Sequence, residues 1–366
     1  MNQGAVIDGI DLSPPAPGRV LPPRAFTSPE VYAAEMERIF PRAWVHVADL
    51  PHLREPGDFV AATIGTTPVV VVRGHDGEVR GFLNACRHRG ATVAEGQGNC
   101  GRQLRCPYHA WSYGTDGRLI GVPQREEFAG CDLSQMGLVP IRTATLGPMV
   151  FGCLDAAAPP FAEWAGELVS AMARVDADKM EFAFEFTYEV AVNWKVYVEN
   201  GLEGYHVAIV HDFLNDLVST KDAEHHFERW GSYTHAKIKP EFLEMFPRPA
   251  HLSEQQASTI RFGHLFPNLI PVLNPTEFSY LRIDPLGPER IRLTARSFDP
   301  GGEFVALREL RREPFDRTNL QDIAVVERVQ RGLNARGLPA GVHSSFLECR
   351  IGHFEAMVSR EMGEPR

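Results

Sequence analysis

A chain of 366 residues with 44% hydrophobic residues and a net charge of −10 has material for two domains with cores of their own. The acidic balance argues against nucleic acid or an anionic membrane as the main partner. No stretch approaches the ~20 apolar residues of a membrane helix, and the opening MNQGAVIDGI lacks the basic start and apolar run of a secretory leader, so a cytoplasmic location is expected. The six cysteines are too sparse for a disulfide framework. Cys100, Cys131, Cys153 and Cys349 are expected to be buried free thiols.

Residues 1–27 carry Pro14, Pro15, Pro17, Pro22 and Pro23 and read as an extended arm. A helix is expected at about 29–40, with Ser28 as N-cap, Pro29 at its first position, and Val31, Ala34 and Met36 opening an apolar face. From 42 to about 155 the signals are those of short strands. PVVVVRG turns at Gly74–Gly77 into EVRGFLNA, a hairpin, and Thr115-Asp116-Gly117 turns WSYG back into RLIG.

Four potential metal ligands lie on loops of this β region. Cys86 and His88 form a Cys-x-His pair; seventeen residues later Cys106 and His109 form a Cys-x-x-His pair. Mixed thiolate and imidazole donors suit zinc or an iron–sulfur cluster. Zinc fingers usually pair Cys with Cys and His with His. Here each loop can give one sulfur to one iron and one nitrogen to the other, the ligation of a Rieske [2Fe–2S] centre. A zinc-stabilised binding protein stays open as the competing reading.

CRHRG followed by CPYHAWSYGTDGRLIG, with FPRAWVHVADL, PGDFV and RGHDGEVRGFLN before it, resembles the large (alpha) subunits of Rieske non-heme iron oxygenases. The resemblance implies an α+β protein: an N-terminal all-β Rieske domain, here 42–157, and a C-terminal catalytic domain of helix-grip type, here 158–366, with residues 1–41 packed on the latter.

Past Pro159 and Pro160, FAEWAGELVSAMARV reads as a helix and FAFEFTYEV as a strand. Residues 193–206 read as a helix, about 259–263, 277–284 and 290–298 as strands, and 317–336 as a long helix; 212–256 shows no clear period and reads as loops or short helices. An antiparallel sheet covered by helices follows.

NWKVYVENGLEGYHVAIVHD holds a second constellation. Glu203 and His206, three apart, would share a helix face. His206 and His211, five apart, are separated by ~140° on a regular helix, so they share a metal only if the helix distorts or ends between them. Two His and one carboxylate describe the facial triad of non-heme Fe(II) oxygenases. Local sequence leaves Asp316, Asp322 and Glu327 open as the carboxylate; the family resemblance implies Asp322. It also implies that Glu203, where relatives usually carry Asp, bridges the cluster domain of one subunit to a ligand His of its neighbour in a homotrimer.

The implied cofactors are a [2Fe–2S] cluster and a mononuclear Fe(II). The implied partners are a reductase, with or without a ferredoxin, drawing on NAD(P)H, since the chain has no Gly-x-Gly-x-x-Gly loop of its own. An electron carrier whose second domain has lost its iron is the other competing reading. The expected activity is hydroxylation of an aromatic substrate, aromatic acids included, by O2. The Glu at the bridge and the modest length resemble instead members acting on quaternary ammonium compounds such as carnitine. Val207, Val210, Phe213 and Phe262 are candidate pocket walls.

Overall fold

The computed structural model describes residues 5–220, 222–245 and 252–363, without the side chains of Asp212, Phe213 and Met245. It divides into two compact units, one of residues 40–161, the other of 1–39 with 162–366. Among the described residues no helix is long and apolar enough to cross a membrane.

The smaller unit is built on seven antiparallel strands, in the order Val45–Asp49, Met149–Cys153, Pro140–Leu146, Val79–Leu83, Thr67–Arg73, Asp58–Ile64 and Gln97–Asn99. The run Val69, Val70, Val71 and Val72 is wholly buried, so both faces of that strand are covered. The expected hairpin turns at Gly77, whose φ is +86°, and Arg80 clamps Asp76 with bonds of 2.8 and 2.6 Å. A second sheet joins Gln103–Arg105, Ser112–Gly114 and Leu119–Gly121. Its outer turn needs Gly117: φ is +82°, and a Cβ there would meet the Phe82 ring at 2.3 Å.

The larger unit carries a second seven-stranded antiparallel sheet, in the order Glu181–Val190, Arg290–Asp299, Glu277–Gly287, Leu269–Asn274, Thr259–Leu265, Gly231–Lys237 and Glu224–Glu228. The last two strands lie in the stretch expected to be loops or short helices. EHHFE and GSYTHAK lack an apolar alternation because inward positions such as His225 and Thr234 are polar and bond each other at 2.8 Å. Leu269–Asn274 and the helix Cys349–Gly363 are likewise additions to the sequence reading. The long helix runs over Arg308–Leu333 and passes through Pro314, where a sequence reading stops.

Residues 5–39 are more ordered than an extended arm. Val6–Ile7 and Ile10–Asp11 pair, and the helix Pro29–Arg38 starts at Ser28, whose hydroxyl accepts from the Val31 amide. Glu35, 1% exposed, ties this segment to the catalytic core. Its carboxylate takes the Lys195 ammonium and the Trp194 indole N–H, both from the helix Trp194–Leu202. Breaking a buried pair by removing one partner costs about 3–5 kcal/mol. All six cysteines are free, but only Cys153 of the four non-motif thiols is buried: Cys131 is exposed, and Cys100 and Cys349 are intermediate, since they sit on turns and at a helix start.

His264, in the strand Thr259–Leu265, is 4% exposed, and its one bond runs between Nε2 and the Pro267 carbonyl. Burial, reinforced by Arg350, pushes its imidazole down to about 3. The unfolded chain therefore binds a proton there that the folded chain does not between about pH 6.5 and 3. Stability from this group is full above pH 6.5 and falls with acidification through that window, at about 1.4 kcal/mol per pH unit. Thermal melts from pH 7 to 5 are expected to show a decline in Tm that is shallower in His264→Gln.

Candidate metal centres

In the smaller unit the two Cys–His loops are folded alike. The Cys86 amide bonds the Ala91 carbonyl and the Gly90 amide bonds back to the Cys86 carbonyl; the Cys106 amide bonds the Trp111 carbonyl and the Ala110 amide bonds back to Cys106. The fifth residue of each loop takes positive φ, +77° at Gly90 and +57° at Ala110, the latter an uncommon place for a side chain. Cys86 and Cys106 are buried, 4% and 3% exposed. The His88 and His109 rings lie 4.7 Å apart in edge contact, and His88 stacks on Trp111. His88 Nδ1 is buried with no hydrogen-bond partner, as expected of a nitrogen meant for a metal.

Among the described residues only two groups of three donors come close enough to hold one ion, and neither contains any of these four. A single tetrahedral zinc thus does not fit; donors spread over a two-iron cluster do. Tyr113 supplies a further contact that the motif did not reveal. Its hydroxyl lies 3.1 Å from Cys86 Sγ and accepts the Arg87 amide at 2.9 Å, which leaves its own hydrogen for the sulfur. Burial and the neighbouring Cys86 raise the Tyr113 pKa, so the phenol keeps that proton.

In the larger unit the helix ends at Leu202, cut short of the expected 193–206. Glu203 is extended, φ −122° and ψ 158°, so it does not share a helix face with His206. Its carboxylate folds forward instead, accepting the Tyr205 and His206 amides and contacting His206 Nδ1. Gly201, in the last turn, lets the helix pack closely on the sheet: a Cβ there would meet Ile270 Cδ1 at 2.3 Å. His206 then opens the one-turn helix Val207–Val210, and His211, φ −116° and ψ 103°, closes it.

That break removes the ~140° conflict of a regular helix. His206 Nε2 and His211 Nε2 lie 3.2 Å apart, and Asp322 Oδ1 lies 3.0 Å from His211 Nε2 and 3.4 Å from His206 Nε2. Donors about 2.1 Å from one metal at right angles would be about 3.0 Å apart, so this triangle fits one face of an octahedral ion. Asp316 and Glu327 are engaged elsewhere, by the Tyr188 hydroxyl and the Ala191 amide. Burial pushes the Asp322 carboxyl up, but hydrogen bonds from His206 and His211 outweigh it and hold it at about 2. Burial likewise pushes His206 down, and Asp322 and Glu203 lift it to about 9. The trio surrounds positive charge by construction.

Gln321 is a residue the sequence reading missed. Its Oε1 lies 3.0 Å from His211 Nδ1 and so fixes the ring with Nε2 toward Asp322. Its one sequence signal was adjacency to Asp322. The second donor group, Glu224, His226 and His235, sits on the edge hairpin with Glu224 exposed.

A cavity of about 560 Å³ opens beside the trio. Val207 and Phe262 line it; Val210 does not, because in a single helical turn Val207 takes the buried position and Val210 stays half-exposed. The side chain of Phe213 lies outside the described residues.

Two family models match. One, described as the Rieske [2Fe-2S] domain, covers residues 43–140; the other, the ring hydroxylating alpha subunit (catalytic domain), covers 177–364. The chain is 28% identical to the glycine betaine monooxygenase oxygenase subunit of Chromohalobacter salexigens, over 93% of this chain and 86% of that one. It is 35% identical to the anthranilate 1,2-dioxygenase large subunit of Acinetobacter baylyi, over 51% of this chain and 41% of that one. A quaternary ammonium Rieske monooxygenase solved with L-carnitine shares the fold, with a TM-score of 0.81 at 23% identity over 94% of this chain and 95% of that one.

A donor to a ligand sulfur stabilises the more negative, reduced state of a cluster. Tyr113→Phe is therefore expected to lower the midpoint potential by roughly tens of millivolts in a redox titration. An unchanged potential would remove the hydroxyl from any role beyond packing.

Proposed function

This chain belongs to the Rieske-type ring-hydroxylating oxygenases as an alpha subunit, and we propose that, as the terminal oxygenase component of such a system, it takes a quaternary ammonium compound as substrate. The observation that carries the substrate class is the extent of likeness. Glycine betaine and choline monooxygenases match over nine-tenths of the chain, while matches over about half of it include glycine betaine, carnitine and aromatic-acid enzymes alike. The aromatic preference drawn from sequence gives way to its alternative on that ground. The cavity agrees in chemistry: Phe262, Tyr280 and Phe315 offer aromatic faces, and Glu277, 7% exposed, offers a carboxylate. Both attract a trimethylammonium group, which cannot itself donate a hydrogen bond.

The metal roles follow the donor chemistry. Cys86, Cys106, His88 and His109 would hold the [2Fe–2S] cluster, and His206, His211 and Asp322 the mononuclear iron. When bound, the cluster supplies single electrons and the mononuclear iron supplies dioxygen activation beside the substrate. The chain's residues set the tautomers. Glu203 at Nδ1 of His206 and Gln321 at Nδ1 of His211 each take a ring N–H, leaving both Nε2 atoms as donors. The aliphatic side of the cavity, Leu214, Leu217, Val218, Ile260 and Val272, excludes water from that face.

Oxygenases of this family receive electrons from a reductase or ferredoxin and assemble as multimers. We place this chain in a threefold ring fed by an NAD(P)H-dependent reductase. Glu203 would carry the hydrogen-bonded link from a neighbour's cluster to His206.

Oxygen uptake coupled to product, measured on glycine betaine, carnitine, benzoate and anthranilate, tests the substrate class. Turnover of the quaternary ammonium compounds is expected; uptake with the aromatic acids alone overturns it. Glu203→Gln is expected to retain about three irons per chain and to lose roughly 10–100-fold in turnover. Normal turnover would take Glu203 out of the electron path.

A further inference from the structure

The cavity beside the candidate iron site has a buried cation on its border that no acidic side chain among the described residues pairs with. Arg350, in the helix Cys349–Gly363, is 2% exposed. Its guanidinium donates from Nε to Ser232 Oγ at 2.9 Å, from one terminal nitrogen to Thr234 Oγ1 at 3.2 Å, and from the other to the Ser232 carbonyl at 3.2 Å. All three acceptors are neutral. A guanidinium has five N–H donors, so one on each terminal nitrogen has no acceptor among the described residues. Four other arginines of this unit meet acids, Arg261 with Glu167, Arg282 with Asp284, Arg296 with Glu185 and Arg308 with Asp299, while half-buried Arg311, also lining the cavity, donates to Thr276.

The surroundings deepen the imbalance. The titratable groups in electrostatic reach of Arg350 are Arg261, His225, His264, His353 and Cys349; none is a carboxylate. Burial pushes its own pKa down to about 9, a measure of how poorly the charge is compensated. A buried charge held only by neutral acceptors is costly, and a paired one is retained. The missing partner is an anion, and the cavity is where an anion would arrive. Two free N–H bonds on adjacent terminal nitrogens match the two oxygens of a carboxylate.

We propose that Arg350 anchors a carboxylate of the substrate, so that the cavity takes betaine-type zwitterions, a quaternary ammonium and a carboxylate on one short skeleton. This rests on the quaternary ammonium reading and narrows it. Phe262, the cross-strand partner of Thr234, offers its aromatic face to the cationic end close to Arg350, which holds the anionic one.

The test is calorimetric binding to the iron-loaded full chain, using pairs that differ by carboxylate against alcohol: glycine betaine with choline, and benzoate with benzyl alcohol. Wild type is expected to bind glycine betaine at least roughly tenfold tighter than choline. In Arg350→Gln the betaine affinity should fall roughly 100-fold and the betaine-to-choline ratio should approach one. Equal or tighter choline binding by wild type overturns the anchor while leaving the quaternary ammonium reading intact. A betaine preference that survives in Arg350→Gln also overturns it. If betaine and choline both fail to bind while benzoate is preferred to benzyl alcohol and needs Arg350, the anchor stands and the quaternary ammonium reading falls. Failure of glycine betaine, choline and benzoate alike to bind overturns both. The wild-type pair needs no variant, and Arg350→Lys, which keeps the charge but not the fork, should keep a weakened preference if Arg350→Gln does not fold.

Discussion

The candidate iron site of the larger unit is built on one carboxylate oxygen, Asp322 Oδ1, standing beside two imidazole nitrogens. That convergence exists because the helix after Trp194 stops at Leu202. Had it continued, His206 and His211 would face different directions, and Asp322 could meet only one of them. Extended backbone at Glu203 and one turn of helix between the histidines solve the problem locally. Glu203 stabilises the solution twice, by capping the two amides that follow and by holding the His206 ring. A residue that shapes the backbone and orients a ligand is hard to replace without disturbing both roles, which is why the isosteric amide is the informative change.

Around that point the larger unit is organised by how it treats buried charge. Glu35 and Lys195 neutralise each other at the base of the ligand-bearing helix, and four arginines on the sheet and its flanks meet acids. The ligand trio gathers around positive charge, which fits a cation. Arg350 breaks the pattern at the cavity border, with neutral acceptors only. The His206–His211–Asp322 trio and the Arg350 guanidinium border one cavity, and their chemistry suits a cation at the first and an acidic group at the second.

The cluster loops were legible because their chemistry is local. A Cys and a His two or three residues apart must share a loop, and Gly90 announces the backbone that loop requires. Ala110 adopts the same positive φ without the glycine signal, and the matching hydrogen bonds of the two loops are visible only in coordinates. The iron site was half legible. His206 and His211 could be named, and the need for a helix break between them followed from the turn angle. The place and form of that break did not, because Glu203 acts through backbone amides that a one-dimensional pattern does not display. Gln321 and Tyr113 carried no motif at all. The strands Glu224–Glu228 and Gly231–Lys237 were misread because cavity-facing His and Thr erase the apolar alternation that marks a strand.

By itself the sequence determined which metals the protein can use and in which half of the chain each belongs, since ligand type and short spacing are properties of contiguous residues. Tertiary structure decided that Asp322, not Asp316 or Glu327, reaches the two histidines, that no single zinc fits the Cys–His set, and where a buried guanidinium meets the cavity. Those outcomes depend on distances across more than a hundred residues, from His211 to Asp322 and from Thr234 to Arg350, and only packing brings such partners within reach.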